Sequence, residues 1–150
     1  MYFMMKVSKT NMRISTKGRY GLRVMIDLAA HYDEEYISLK DIATRLNITI
    51  KYLEQIVIPL NKAGFLKSMR GNSGGYCLAK EPHEYKVGDI LRVMEGNLSP
   101  CDNIDENFSD AGNIQFWDGF TKSINDYVDS ISLDMIVQKN QDKEGLDYCI

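Results

Sequence analysis

The sequence predicts a mainly α-helical fold with one small β-hairpin, and three observations carry this prediction. Apolar residues recur at helical spacing in several separate segments. A glycine-rich stretch, Gly71-Asn72-Ser73-Gly74-Gly75, separates two short runs with β character. The order of these elements, a helix, a turn, a second helix and then a glycine-tipped hairpin, is typical of a winged helix-turn-helix. A last long helix follows this unit, and we expect it to mediate dimerisation.

Length and composition fit one globular domain with an appendage. The 150 residues are 44% hydrophobic and 26% charged, which excludes wholesale disorder. No apolar run approaches the ~20 residues that cross a bilayer, so we expect a cytoplasmic protein. The three cysteines form neither a disulfide framework nor a CxxC metal motif. Residues 1–11 show no periodicity and are expected to be an N-terminal arm or a start-site extension.

Charge divides the chain into two parts. Residues 12–96 contain 13 Lys and Arg against 10 Asp and Glu, whereas residues 97–150 contain 3 against 11. A polyanion is tolerated by the first part and repelled by the second. A nucleic-acid partner would therefore bind the N-terminal two-thirds of the chain.

The first two helices have recognisable starts. Ser15 can cap a helix that extends to about His31 and is apolar over most of its circumference. Ser38 and Asp41 give the second helix a start that resembles a capping box. Its apolar residues, which end at Leu46, follow at helical spacing.

The third helix has one apolar face and one polar face. Thr49 can cap it, Pro59 is expected to kink it, and Gly64 is expected to end it. The apolar stripe consists of Leu53, Ile56, Val57 and Leu60. The polar residues are Lys51, Gln55 and Lys62, with Glu54 at their flank. This division predicts a helix that is anchored in a core along one side only.

The rest of the unit and the C-terminal part follow in order. Strands are predicted at 65–70 and 76–79, and a fourth helix at about 87–95 completes the unit 12–96. Residues 97–112 are polar and acidic and are expected to be a linker. A long helix and a short following helix are predicted over 113–139, and residues 140–150 are expected to be a flexible tail.

A helix that reads DNA in the major groove needs one buried face and one face free to contact base edges. In the third helix, Lys51 can bind phosphate or guanine, Gln55 can pair with adenine, and Glu54 can accept from cytosine. Arg70, beside the loop glycines, can enter the minor groove or clamp the backbone. The predicted DNA-contacting residues are Lys17, Arg19, Thr49, Lys51, Tyr52, Glu54, Gln55, Arg70, Gly71, Asn72, Ser73, Gly74 and Gly75.

The long helix carries an apolar stripe rich in aromatic residues. Its members are Phe116, Trp117, Phe120, Ile124, Tyr127, Val128 and Ile131. One interpretation is that the stripe folds back onto its own domain. The interpretation that we favour is pairing with a second copy, because a twofold dimer would present two recognition helices to a palindromic site.

Motifs that would indicate an enzyme are not found in the sequence. It contains no phosphate-binding loop, no nucleophile elbow and no His-Glu-x-x-His pattern. We therefore expect a binding protein rather than a catalyst.

Three motifs in order resemble the Rrf2 (Rrf-two) family of bacterial transcription regulators. They are Met12–Gly21, Tyr52–Gln55 and Arg70–Tyr76. The resemblance implies a dimeric winged-helix repressor whose long helices cross at the interface. It also implies that Lys51, Glu54 and Gln55 read bases, and that Arg70 and the glycines form the wing.

The family contains members with and without an iron–sulfur cluster. Cluster-binding members carry three cysteines in the segment that matches 97–112, where this sequence has Cys101 alone and no histidine. One cysteine per chain supplies two ligands across a dimer, whereas a [2Fe–2S] cluster needs four. We therefore expect no cofactor and no metal. A regulator that senses iron or redox state through Cys101 is the alternative.

Within the family, the resemblance is greatest to the cysteine-metabolism repressors, which hold no cluster. Their activity is controlled by association with the enzyme O-acetylserine thiol-lyase. Chains that dock into this enzyme end in a free isoleucine carboxylate, and the present sequence ends Tyr148-Cys149-Ile150. The tail is thus either a partner-binding segment or a disordered end. An adaptor that acts mainly through this tail is a further hypothesis.

Overall fold

The computed structural model describes residues 13–100 and 110–147. The predictions for the N-terminal arm, for Cys101 and for the tail residues Tyr148, Cys149 and Ile150 therefore lie outside the described residues. The mainly helical fold with a small hairpin is confirmed. Its elements are α1 (Thr16–Ala30), α2 (Leu39–Leu46), α3 (Ile50–Lys62), β1 (Leu66–Met69), β2 (Gly75–Leu78), a 3-10 turn (Pro82–Glu84), α4 (Val87–Glu95), α5 (Ala111–Asp129) and α6 (Leu133–Asp147).

The first three helices begin at the caps that the sequence predicts. The hydroxyl oxygens of Ser15, Ser38 and Thr49 accept hydrogen bonds from backbone N–H groups three residues later, at 3.0, 3.1 and 3.1 Å. Each bond satisfies one of the donors that a helix start leaves unpaired. Asn47, with φ of 53°, turns the chain between α2 and α3, which completes the helix-turn-helix.

The wing is a hairpin extended by one residue of a third segment. Leu66 lies opposite Leu78 in the antiparallel pair β1–β2. Ile37 and Tyr76 exchange two backbone hydrogen bonds of 2.9 Å, which attaches the hairpin to the segment before α2. A Cβ atom on Gly75 would lie 2.0 Å from the carbonyl oxygen of Ile37. Only glycine therefore permits this attachment.

The core lies between α1, α2, α3, α4 and the hairpin. The apolar stripe predicted for α3 is buried throughout. Asp27 and Arg45 add a two-pronged ion pair between α1 and α2, with both N–O distances 2.8 Å. Leu133, the first residue of α6, is also completely buried in this core. The start of α6 therefore packs into the winged unit, which comprises α1 to α4 and the hairpin, and is not simply an extension of it.

The predicted linker and long helix need correction at their boundaries. Leu98, placed in the linker, is buried against Val87 and Leu91 because its side chain is apolar and faces them. Helix α5 begins at Ala111, before the predicted start at residue 113, and ends before Ile131. Ile131 instead accepts a backbone hydrogen bond from Val87 at 2.9 Å.

The prediction of a flexible tail from residue 140 is wrong for residues 140–147, which belong to α6. This stretch shows no apolar stripe in the sequence, and only half of its residues, Gln141, Lys143, Glu144 and Leu146, are good helix formers. Gln138 donates to Asp142 one turn later at 2.9 Å. This hydrogen bond and the anchor at Leu133 favour the extension.

Candidate nucleic-acid interface

Helix α3 presents a polar face to solvent on the side opposite its buried stripe. Lys51, Glu54 and Gln55 are all exposed. Because Leu53 and Ile56, between and beside them in sequence, are completely buried, the polar face cannot rotate without opening the core. The outer face is thus held rigidly, which base readout requires.

Tyr52 positions α3 on α1. Its ring is half-buried and meets the ring of Tyr20 edge-on, with 5.8 Å between centroids. The guanidinium of Arg23 lies 4.9 Å from the centroid of Tyr20, within cation–π distance. Tyr52 is predicted to contact DNA, and because its ring is only half-buried in this contact, that role stays a prediction. The contact brings the first turns of α1 and α3 together.

A carboxylate from a distant part of the chain lies at the start of α1, a contact that the sequence does not predict. Glu95, the last residue of α4, accepts from the backbone N–H of Ser15 at 3.0 Å and also from the Ser15 hydroxyl. An anion is favourable at a helix N-terminus, so the backbone donors there are partly satisfied within the protein. The exposed side chains of Lys17 and Arg19 are the groups at this end that remain suited to phosphate.

The loop between β1 and β2 exposes Arg70, Asn72 and Ser73. Gly71 adopts a φ of 109°, which favours glycine. Its carbonyl accepts from the backbone N–H of Gly74 at 3.0 Å and closes the turn. The predicted wing residues are brought together, but Gly74 packs closely on the Met69 carbonyl inside the hairpin, and Gly75 packs on the Ile37 carbonyl outside it.

The predicted dimer stripe on α5 is divided between two environments. Its N-terminal half is an aromatic cluster, in which the ring of Phe116 lies 5.0 Å from Trp117 and 6.1 Å from Phe120, centroid to centroid. Phe116 is 59% exposed, and Tyr127 further along is 69% exposed. No residue of α5, which the structure describes in full, is buried.

The C-terminal end of the stripe packs against the chain's own winged unit. Val128 and Ile131 contact the apolar group around Val87, Leu91 and Leu98. Ile124 and Val128 also line a cavity of about 290 Å³ beside Leu91 and Leu98. Within the described residues, the interpretation that the stripe folds back onto its own domain therefore applies to Val128 and Ile131. Pairing of the aromatic residues with a second copy stays a prediction.

A polar clamp reinforces this attachment. The Arg92 guanidinium donates to both carboxylate oxygens of Asp129 at 2.8 Å and to the amide oxygen of Asn125 at 2.6 Å. The hydrogen bonds from Arg92 lower the pKa of Asp129 below its ordinary value. This two-pronged geometry joins α4 to α5.

Replacing Asp129 with asparagine should loosen the attachment of the end of α5 to α4 at neutral pH. Because the folded-state pKa of Asp129 is depressed, the stabilisation is complete above its unfolded pKa and is lost as the pH falls through the folded value. The loss should be at most about 1 kcal/mol because the pair is exposed and screened. Urea unfolding at pH 7 and in acid measures it, and an equal acid dependence in wild type and variant would contradict the assignment.

The side chains of the described residues do not supply the ligands of an iron–sulfur cluster. Cys77, the one cysteine within residues 13–100 and 110–147, lies half-buried on β2 opposite Lys67. The described part of the chain contains no group of three His, Cys, Asp or Glu residues placed to bind a metal. Between residues 97 and 112 the sequence offers Cys101 as its sole thiol, whereas a cluster needs four ligands.

Within the two described ranges, no helix has both the length and the apolar character needed to cross a membrane.

Comparisons with known proteins agree with this geometry. Residues 14–139 match the family model Rrf2, described as an iron-dependent transcriptional regulator. The HTH-type transcriptional regulator CymR of Bacillus subtilis is 43% identical over 123 residues, covering 82% of this chain and 88% of CymR.

Two solved structures extend the likeness to three dimensions. The structure of CymR, the global cysteine regulator of B. subtilis, has a TM-score of 0.78 and 41% identity, covering 85% of this chain and 97% of that one. T. potens IscR has a TM-score of 0.71 and 44% identity, covering 85% and 88%. The chain is thus a DNA-binding transcriptional regulator and belongs to the Rrf2 family.

Proposed function

We propose that the protein is a homodimeric, sequence-specific repressor of cysteine or sulfur metabolism genes that works without an iron–sulfur cluster. The exposed polar face of α3, backed by a completely buried stripe, is the observation that carries the proposal. The loop with Arg70 on the wing, and Lys17 with Arg19 on α1, add basic groups that are all exposed. Such groups bind phosphates and fix the register of the protein on DNA.

The residues on this surface divide into two roles. Gln55 offers an amide that can pair with adenine in both directions, Glu54 offers an acceptor for the cytosine amino group, and Lys51 can bind guanine or phosphate. Lys17 and Arg19 are cations suited to phosphate, and the Thr49 hydroxyl retains a proton to donate after capping α3. Base discrimination therefore depends on α3, and the remaining groups add affinity.

Arg70→Ala and Gln55→Ala should weaken DNA binding in different ways. Removing the guanidinium should lower affinity for specific and random DNA alike and reduce the salt slope by about one, as loss of a phosphate contact does. Removing the amide should relax preference at one base pair, at a cost of about 1–3 kcal/mol on the specific site alone. Fluorescence anisotropy at several salt concentrations measures both, with Lys139→Ala on α6 as the control. Identical profiles for the two variants would contradict these roles.

The proposal that the protein dimerises rests on the aromatic end of α5. Three aromatic rings contact one another on a helix with no buried residue. A contiguous apolar patch of this kind on a soluble protein marks an interaction surface. A second copy is the partner that matches it, because a twofold axis places the same stripe on both sides.

The proposed target genes follow from the similarity to a relative, and the proposed enzyme partner is assigned to the last three residues of the sequence. CymR of B. subtilis is described as the global cysteine regulator, and the present chain shares its fold and is 41% identical to it where the two chains align. The segment Tyr148-Cys149-Ile150 is proposed to bind O-acetylserine thiol-lyase, because an aromatic side chain followed two residues later by an aliphatic one can dock into an enzyme pocket as an extended peptide.

The test is DNA binding by chelator-treated protein, with and without O-acetylserine thiol-lyase. A promoter from a cysteine-biosynthesis operon is compared with random DNA, and a chain lacking residues 148–150 is the matched control. We expect specific binding without metal, tightened by the enzyme only when the tail is present. Specific DNA binding that is equally tight with and without the enzyme would contradict the proposed partner. Enzyme binding without any specific DNA binding would favour an adaptor.

A cluster-sensing regulator is the second candidate, because the matched family is described as iron-dependent and T. potens IscR is 44% identical. The ligand count stands against it. Anaerobic reconstitution with iron and sulfide, compared between the native chain and Cys101→Ala, distinguishes the two. The visible absorption of a cluster, lost in the variant, would replace the first proposal with the second.

A further inference from the structure

Helix α3 exposes a large apolar side chain on the face that otherwise carries its polar residues. Ile58 is 57% exposed, more than Ile50 at the first position of the helix, which is 45% exposed, whereas four other apolar residues of α3 are buried. At ~100° per residue, Ile58 lies within about 20° of Lys51 around the helix. Gln55 and Lys62 lie three residues before it and four residues after it. Its side chain therefore belongs to the outer face and not to the core.

The position of Ile58 completes a spacing that suits major-groove reading. Lys51, Glu54, Gln55 and Ile58 stand at i, i+3, i+4 and i+7, the spacing with which the recognition helix of a homeodomain contacts bases. Seven residues advance a helix by about 10.5 Å. With base pairs about 3.4 Å apart, Ile58 would lie about three base pairs beyond Lys51 if the axes were aligned.

An isoleucine at this position has one chemical match on a base edge. Its side chain has no donor or acceptor, so it cannot pair with a base amide, carbonyl or ring nitrogen. The thymine C5-methyl is the apolar group that the major groove presents, and apolar side chains contact it. The lysines at 51 and 62, on the same face, favour approach of the polyanion.

We propose that Ile58 is a specificity-determining residue that selects thymine through contact with its 5-methyl group. The inference rests on the proposed function, since it requires α3 to enter the major groove. It adds an apolar contact to the exposed polar face of α3. It also explains an exposed isoleucine that no contact within the described chain accounts for.

Replacing thymine with deoxyuridine removes the methyl group and keeps every hydrogen-bonding atom of the base. A high-affinity site is first selected from random DNA with the full chain. Each thymine is then replaced symmetrically in both half-sites, and binding is measured for wild type, Ile58→Ala and the control Leu146→Ala. Leu146 is a comparably exposed aliphatic residue on α6, at 71%. Neither substitution removes a buried side chain, so folding should be retained.

We expect one thymine position at which loss of the methyl weakens wild-type binding about fourfold per half-site, as for one uncovered methyl group. Ile58→Ala should lose a similar factor on the unmodified site and become insensitive to uracil at that position. Leu146→Ala should behave like wild type at every position.

Two results would overturn the inference. In the first, Ile58→Ala loses as much affinity as wild type when deoxyuridine replaces each thymine. In the second, Ile58→Ala lowers affinity for specific and random DNA equally. Either result, obtained while Gln55→Ala still relaxes base preference, leaves the DNA-binding proposal intact. If no site is selected and Gln55→Ala has no effect, the proposed function itself fails.

Discussion

Replacing both Phe116 and Tyr127 with aspartate should convert the protein from dimer to monomer and lower its operator affinity by at least about 100-fold. Both side chains are largely exposed in the single chain, so the protomer loses no core contact. A charge buried in an apolar interface without a partner is strongly unfavourable. Two linked recognition helices bind about 10²–10⁴ times more tightly than one through effective concentration, which sets the size of the loss.

Light scattering after gel filtration measures the oligomeric state, and fluorescence anisotropy measures DNA affinity. The matched control is Gln115→Glu combined with Lys122→Gln, which changes the net charge by the same two units on the opposite side of α5. The control should remain dimeric. A dimeric double aspartate variant, or a monomer with undiminished operator affinity, would contradict the role assigned to the stripe.

Leu133→Ala should destabilise the protein by about 2–5 kcal/mol, as expected for truncation of a completely buried leucine. The side chain is 0% exposed and packs into the core shared by the winged unit. Its backbone N–H also donates to the carbonyl of Tyr85 at 3.1 Å. The cavity left in the variant would therefore lie between α6 and the DNA-binding elements.

Urea unfolding at one fixed protein concentration checks this result, because stability of a dimer depends on concentration. Leu146→Ala, on the same helix but 71% exposed, should change stability by less than about 0.5 kcal/mol. Equal effects of the two substitutions would mean that α6 does not contribute to the core in solution.

The sequence predicts those features that depend on neighbouring residues. The caps at Ser15, Ser38 and Thr49, and the buried stripe of α3, were predicted because capping and helical periodicity are local properties. The glycine loop was predicted for the same reason. These local features determine most of the proposed DNA-binding surface.

The features that the sequence does not predict depend on contacts between distant segments. Glu95 reaches Ser15 across 80 positions of the chain, and Leu98 is buried only because α4 and α5 meet beside it. Ile58 differs from the four buried apolar residues of α3 only in its angle around the helix. That angle was available from the periodicity, and it is the one indication in the sequence of an apolar residue on the reading face.

The apolar stripe of α5 lies in two different environments. Val128 lies against the winged unit, whereas Phe116 faces away from it. A helix attached at one end by Arg92 and Asp129 can hold its aromatic end at a fixed position relative to α3. Dimerisation through that end would then fix the spacing of the two recognition helices.

Selection of binding sites from random-sequence DNA by chelator-treated, full-length protein tests the central claim most directly. We expect an enriched motif with twofold symmetry and half-sites separated by about one helical turn, 10–10.5 base pairs, or a multiple of it. Enrichment of a single asymmetric half-site would contradict dimeric recognition. Enrichment only after reconstitution with iron and sulfide would contradict the claim that the chain reads DNA without a cluster.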